Sequence, residues 1–169
     1  MKTILFLFAV FIFGLVSCNN ATSDRGVVIN RVRWATSNVE TSGTFARSPE
    51  SAGGFFTFEE AQNACPRGWR LPTYEELHRL VNAGGEWTAV NGVNGRTFGS
   101  KRNQIFLPAA GHSGLLSGML YDVDRWGLYW SSTQGTSTYT AWSLFISSDY
   151  ALVDYGSRRN ILSVRCVVE

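Results

Sequence analysis

Thr57–Gly85 reads TFEEAQNACPRGWRLPTYEELHRLVNAGG, and this stretch decides the fold class. It contains two capping boxes. Thr57 with Glu60 opens one helix, which must stop before Pro66. Thr73 with Glu76 opens a second. Tyr74, Leu77, Leu80 and Val81 then recur at helical spacing on one face, and Gly84-Gly85 ends the helix. His78 falls on the opposite, exposed face. Glu59, Glu60, Glu75 and Glu76 are first-turn charges that favour the helix dipole, a better reading than paired catalytic carboxylates.

On the C-terminal side, everything after Gly85 reads as strand and loop. Ile105-Phe106-Leu107 is a short apolar strand ended by Pro108. Leu128–Ser131, Ala141–Ile146, Ala151–Tyr155 and Ser163–Val167 are further strand candidates, with Gly, Ser and Thr clusters between them. On the N-terminal side, Val27–Trp34 is β-rich around Asn30-Arg31 and predicts a strand, a turn and a strand. Thr36–Gly54 is dense in Ser, Thr, Gly and Asn with one Pro, and predicts a long surface loop. Helices that come early and strands that come late predict an α+β class: two short helices on a small twisted, mostly antiparallel sheet with long loops.

The N-terminus has a separate task. Lys2 precedes an apolar run from Ile4 to Val16, which is shorter than the ~20 apolar residues a membrane span needs. That pattern is a secretory signal. Leu15-Val16-Ser17-Cys18 resembles the lipobox of bacterial lipoproteins, with Cys18 as the lipidated residue. The organisation expected is therefore a signal peptide over 1–17, a lipidated tether over 18–26 and one domain over 27–169. Each buried CH₂ of an acyl chain contributes about 0.8 kcal/mol, so several chains anchor the protein to a membrane. Position 19 is Asn, not the Asp that retains many lipoproteins at the inner membrane. The expectation is an outer-membrane location, on either face.

Composition narrows the function. Without the signal peptide, 14 basic residues stand against 13 acidic ones, a balance with no electrostatic handle for nucleic acid. Cys65 and Cys166 are then an even pair in an exported chain, which reads as a disulfide. In the chain-entropy model, closing a loop of about 100 residues contributes up to roughly 4–5 kcal/mol. No Cys-x-x-Cys or Cys/His cluster suggests a metal, and no Gly-rich phosphate loop is present. Gly111-His112-Ser113-Gly114 lacks the spacing of a nucleophile elbow, so His112 reads as a loop residue and not a general base. Asp122-Val123-Asp124 lacks the glycine and glutamate of a calcium loop. No cofactor is expected.

Six blocks in order carry a resemblance. They are Trp34-Ala35-Thr36-Ser37-Asn38-Val39; Ala64-Cys65-Pro66-Arg67-Gly68-Trp69-Arg70-Leu71-Pro72-Thr73; Glu75-Glu76-Leu77; Phe106-Leu107-Pro108-Ala109-Ala110-Gly111; Tyr129-Trp130-Ser131-Ser132-Thr133; and Ser163-Val164-Arg165-Cys166-Val167. Together they resemble the Fibrobacter succinogenes major paralogous domain (FISUMP) family, common in lipoproteins of Gram-negative bacteria. The resemblance implies a C-type-lectin-like fold, akin to the formylglycine-generating enzyme and to variable ligand-binding proteins, and it implies the Cys65–Cys166 bridge. The chain departs from the family where Ala52–Phe58 runs straight into the first helix without the longer insertion relatives often carry. The calcium-dependent sugar motifs of true lectins, Glu-Pro-Asn and Trp-Asn-Asp, are absent, so the resemblance does not license calcium or sugar binding.

By residue type, Trp69, Leu71, Leu77 and Trp130 are expected core anchors. Arg70 and Arg165, each beside apolar residues, are expected to be structurally paired. The remaining surface is the candidate site. Tyr139, Trp142, Ser143, Tyr150, Asp154, Tyr155, Arg158, Arg159 and Asn160 have the composition of binding loops. In lectin-like proteins varied by diversity-generating retroelements, the similar C-terminal stretch is the diversified one. Alternation in Ala141–Ile146 puts Trp142, Leu144 and Ile146 on one side, with Leu144 and Ile146 facing the core. The expected function is a non-enzymatic binding or adhesion module for a protein or glycan at the cell surface. The alternatives are an enzyme or accessory of the formylglycine-generating type, which needs a reactive cysteine, and a structural subunit of an envelope or fimbrial assembly.

Overall fold

The computed structural model describes residues 24–114 and 118–169. The expected signal peptide, Cys18 and most of the expected tether lie outside the described residues. Strands β1 (Val27–Ile29) and β2 (Val32–Trp34) pair antiparallel across Asn30-Arg31. Both turn residues take left-handed φ values, 46° and 68°, as a two-residue primed hairpin turn requires. The expected loop over 36–54 instead holds a second hairpin, β3 (Val39–Thr41) with β4 (Thr44–Phe45). The polar composition concealed an anchor: Val39 is fully buried beside Phe56 and Leu162. Asn38 is buried with it, donating from Nδ2 to the Ala52 carbonyl at 2.8 Å.

Helix α1 (Phe58–Ala61) is a single turn, opened by the Thr57/Glu60 capping box. After β5 (Trp69–Arg70), helix α2 (Tyr74–Asn82) opens on the Thr73/Glu76 box, and Leu77 and Leu80 are buried. Arg70 donates to both carboxylate oxygens of Glu76 at 2.7 Å, while the Thr73 amide donates to one of them at 2.8 Å. Burial pushes the Glu76 carboxyl up, but these donors outweigh it and hold the group below its ordinary value. A carboxylate depressed in the folded state contributes stability above its unfolded pKa and loses it as pH falls through the folded one. Glu76→Gln should therefore lower stability near neutrality by about 1 kcal/mol, a figure kept small because Arg70 is partly exposed. It should also flatten the acid limb below about pH 4. Urea titrations at pH 7 and pH 3 check this, and a variant that keeps the parental pH slope would contradict it.

The C-terminal half is strands and loops, as expected from Gly85 onward. Strands β6 (Trp87–Val90), β7 (Val93–Ser100) and β8 (Asn103–Pro108) form an antiparallel meander. Then come β9 (His112–Gly114) and β10 (Leu120–Tyr121), followed by a second meander of β11 (Gly127–Gln134), β12 (Thr140–Ile146) and β13 (Ala151–Ser157). Strands β14 (Asn160–Ile161) and β15 (Val167–Val168) end the chain. The expected strand over Ser163–Val167 is thus mostly irregular, although the Val164 and Cys166 carbonyls accept from the Val39 and Ala35 amides at 3.0 and 2.9 Å. The described residues form an α+β arrangement of small, mostly antiparallel sheets with two helices. The sheet order β1-β2-β15-β5 seats the last strand between elements from the first half.

The β11-β12-β13 sheet separates two cores. On one face Tyr129, Leu144 and Ile146 pack with Leu77 and Leu80 of α2 and with Trp34. On the other, Trp130 and Ala141 pack with Phe58, Leu71, Leu162 and Val164. The Cys65–Cys166 disulfide is formed, with Cα atoms 6.0 Å apart, and it ties the segment after α1 to the C-terminal strand region. Leu71, Leu77 and Trp130 are buried as expected. Trp69 is not. It is half-buried and packs edge-on against Phe45, with centroids 5.3 Å apart, because β5 lies at the edge of its sheet. Arg165 is fully buried without a carboxylate among its hydrogen-bond partners. It donates to Asn38 Oδ1 at 2.9 Å and to the Ala35 and Phe106 carbonyls at 3.1 and 3.0 Å. Burial lowers its pKa to about 10, which still leaves it charged at neutral pH.

Candidate functional site

Strand parity distributes the candidate residues. In the β12–β13 ladder, Trp142 pairs with Tyr155, Ser143 with Asp154, and Phe145 with Leu152. Residues directly opposite share a face. Trp142 and Tyr155 therefore lie on the α2 face, 5.1 Å apart, where Trp142 also packs 4.3 Å from Tyr74. His78, expected on a solvated face, packs 4.4 Å from Tyr74 instead, and its Nε2 is buried with no hydrogen-bond partner among the described residues. The α2 face is broader than the Tyr74-Leu77-Leu80-Val81 stripe because the Trp142 indole extends it.

The opposite face carries Leu128, Phe145 and Leu152 in one row across the three strands. Tyr150 stacks on Phe145 at 5.6 Å, and Trp126 meets it edge-on at 5.5 Å. The guanidinium of Arg125 lies 5.9 Å over the Trp126 ring. Sequence reading missed Trp126, Phe145 and Leu152. The signal was present: Phe145 alternates away from the core-facing Leu144 and Ile146.

A third group gathers at the strand ends. Tyr139, in the loop between β11 and β12, is 80 % exposed, against 51 % for Tyr150 and 46 % for Tyr155. Arg158 donates its backbone N–H to the Tyr139 carbonyl at 3.0 Å and its Nη1 to the Thr138 carbonyl at 2.9 Å. Its guanidinium lies 4.5 Å over the Phe58 ring and pairs with Glu59. A first-turn glutamate of α1 thus has a definite partner far along the chain. The nine candidates do not form one surface. Trp142 and Tyr155 take one face of the sheet, and Tyr150 takes the other. Tyr139, Arg158 and Arg159 take its end. Ser143 is buried, its hydroxyl 3.5 Å from the Asp154 carbonyl oxygen, and Asn160 is half-buried in β14.

Asp154 has a local task. Hydrogen bonds from Ser147 N to Tyr150 O and from Arg158 N to Tyr139 O bracket the β12–β13 ladder. By antiparallel alternation, the backbone groups of Val153 and Tyr155 point to the open edge of β13. The Asp154 carboxylate accepts the Tyr155 N–H at 2.7 Å. A charge that occupies an outward N–H in mid-strand blunts the edge against pairing with another chain.

Residues 91–167 match a family described as a domain of unknown function (DUF8237). The matched segment runs from the β6–β7 turn to β15 and so includes the whole β11-β12-β13 sheet, while Phe58, Glu59, Tyr74 and His78 lie before it. Neither the curated proteins nor the solved structures contain a match to the chain.

Cys166 is buried and bridged to Cys65, so neither sulfur is a free thiolate nucleophile. Among the described residues, no three His, Cys, Asp or Glu side chains gather where they could hold a metal ion. His112 begins β9, and its ring lies 5.7 Å from Tyr121. Asp122 pairs with Arg125 at 3.7 Å across a turn.

Proposed function

We propose that this protein is a lipid-anchored binding or adhesion module of the bacterial cell envelope, with a C-type-lectin-like fold and no catalytic role. The observation that carries the reading is the exposure of Tyr139, Tyr150 and Tyr155 around one rigid sheet whose interior positions are sealed. Large aromatic side chains left in water on a firm scaffold supply contact area at low entropic cost, the usual economy of a binding surface. The closed disulfide weighs against the alternative of a formylglycine-generating type of enzyme, which needs a reactive cysteine. The partner is a protein or a glycan at the cell surface, and the lipid on Cys18 holds the module at the outer membrane.

Two measurements test this. Cys18→Ala should abolish incorporation of labelled palmitate and release the protein from the membrane fraction, and unchanged label and fractionation would contradict the anchor. The purified protein, screened against glycans and envelope proteins, should return a saturable partner. A screen that returns none, from protein shown to be folded, would overturn the binding role.

A further inference from the structure

The strand-end group encloses a shallow depression of about 470 Å³, lined by Glu59, Thr138, Tyr139, Ser157, Arg158 and Arg159. That is within the ordinary range for small-ligand sites, roughly 300–1,000 Å³. Its chemistry is mixed in a particular way. The Tyr139 ring is a flat, exposed apolar surface. Beside it, Arg158 and Glu59 form an ion pair whose arginine is held by the Thr138 carbonyl and by the Phe58 ring beneath it. The pair therefore presents a donor and an acceptor side by side in a fixed position. The Glu59 side chain is 63 % exposed and uses only one carboxylate oxygen in that pair, which leaves the other for a ligand. The Ser157 hydroxyl accepts the Arg159 N–H and retains its own proton to donate. The Arg159 side chain is exposed and makes no ion pair with the described residues, so two arginines face one carboxylate and the depression carries one net positive charge.

We propose that this depression binds a saccharide carrying a carboxylate, of the hexuronic-acid class. The inference rests on the binding-module reading and deepens it. A pyranose ring has an apolar C–H face that fits a flat aromatic ring, and vicinal hydroxyls that need a donor and an acceptor close together. The Arg158–Glu59 pair supplies both. A peptide anchor would instead need a concave apolar pocket, and the Tyr139 ring stands proud of the surface. The unpaired Arg159 selects the acidic sugar over a neutral one, because a guanidinium matches a carboxylate with two parallel hydrogen bonds.

The probes are tri-galacturonic acid and its methyl ester, which keeps the rings and removes the charge, titrated calorimetrically into the purified protein. The acid should bind about tenfold or more tightly than the ester, and the difference should shrink as salt is raised. Tyr139→Ala should weaken both ligands about tenfold or more, while Tyr139→Phe should keep the affinity. Arg159→Gln should weaken the acid much more than the ester and so remove most of the preference between them. Melting temperatures equal to the parent's establish that each variant is folded. Equal binding of acid and ester, indifference to Tyr139→Ala, or no binding of either sugar would each overturn the proposal. If neither sugar binds but a screened partner is lost on truncating Tyr150 or Tyr155, the saccharide site fails and the binding module stands. If no partner of any class binds, both fail.

Discussion

Trp130→Ala should lower the free energy of unfolding by about 3–5 kcal/mol, the usual cost of emptying a large aromatic from a core. Trp130 is fully buried at the centre of the second core, in edge contact with Phe58 at 5.5 Å. Its indole N–H donates to the Phe56 carbonyl at 2.8 Å, so truncation also removes one of the two hydrogen bonds that this carbonyl accepts, the other coming from the Leu162 N–H at 3.0 Å. Phe56 is itself bridged to Leu162, so the loss would loosen the joint between the loop before α1 and the C-terminal segment. Trp69→Ala is the internal comparison. Half-buried on an edge, it should cost clearly less. Chemical denaturation of the two variants checks the ranking, and equal losses would show that the core is misplaced.

Removing the Cys65–Cys166 bridge should cost about 2–5 kcal/mol, mainly by releasing a long loop in the unfolded chain. The bridged residues are 101 apart in sequence. Cys166 is also packed against the second core, so a serine in its place adds the penalty of a buried hydroxyl. Cys65→Ser with Cys166→Ala separates the two effects, because alanine leaves no polar group behind. Urea midpoints under oxidising and reducing conditions should differ for the parent and coincide for the double variant. A parent that is indifferent to reduction would contradict the structural role of the bridge.

The readable parts of the fold were those set by local chemistry. Both capping boxes form because Thr and Glu three residues apart satisfy each other's backbone amides without help from the rest of the chain. The Asn30-Arg31 turn formed for a similar reason. The Asn91-Gly92 turn was equally local and was overlooked. An Asn-Gly pair between Trp87–Val90 and Val93–Phe98 is a strong hairpin signal, and both residues adopt left-handed φ, 50° and 83°. Tertiary choices hid the rest. Thr36–Gly54 is polar enough to read as loop, yet Val39 and Asn38 are drawn inside by Phe56, Leu162 and Arg165.

The candidate site shows the same division. The two sides of β12 were legible, because alternation needs only the strand's own residues. The sides of β13 were not, because they depend on register. Pairing Trp142 with Tyr155 and Phe145 with Leu152 sends Tyr155 and Tyr150 to opposite faces of one sheet. Composition placed Arg158 only among the residues of a binding loop. Its partner Glu59 lies 99 residues away in sequence, a contact that only the closed fold creates.

Affinity measured for Tyr139→Ala, Tyr150→Ala and Tyr155→Ala, one at a time, tests the binding-surface account most directly. The ligand is the partner the screen returns, and each variant must melt at the parental temperature. The account predicts that at least one loses about 2 kcal/mol of binding free energy, as an aromatic at the centre of an interface should. The position of that loss identifies which face or end of the β11-β12-β13 sheet is used. Three variants that all bind like the parent would place the ligand elsewhere and contradict the account.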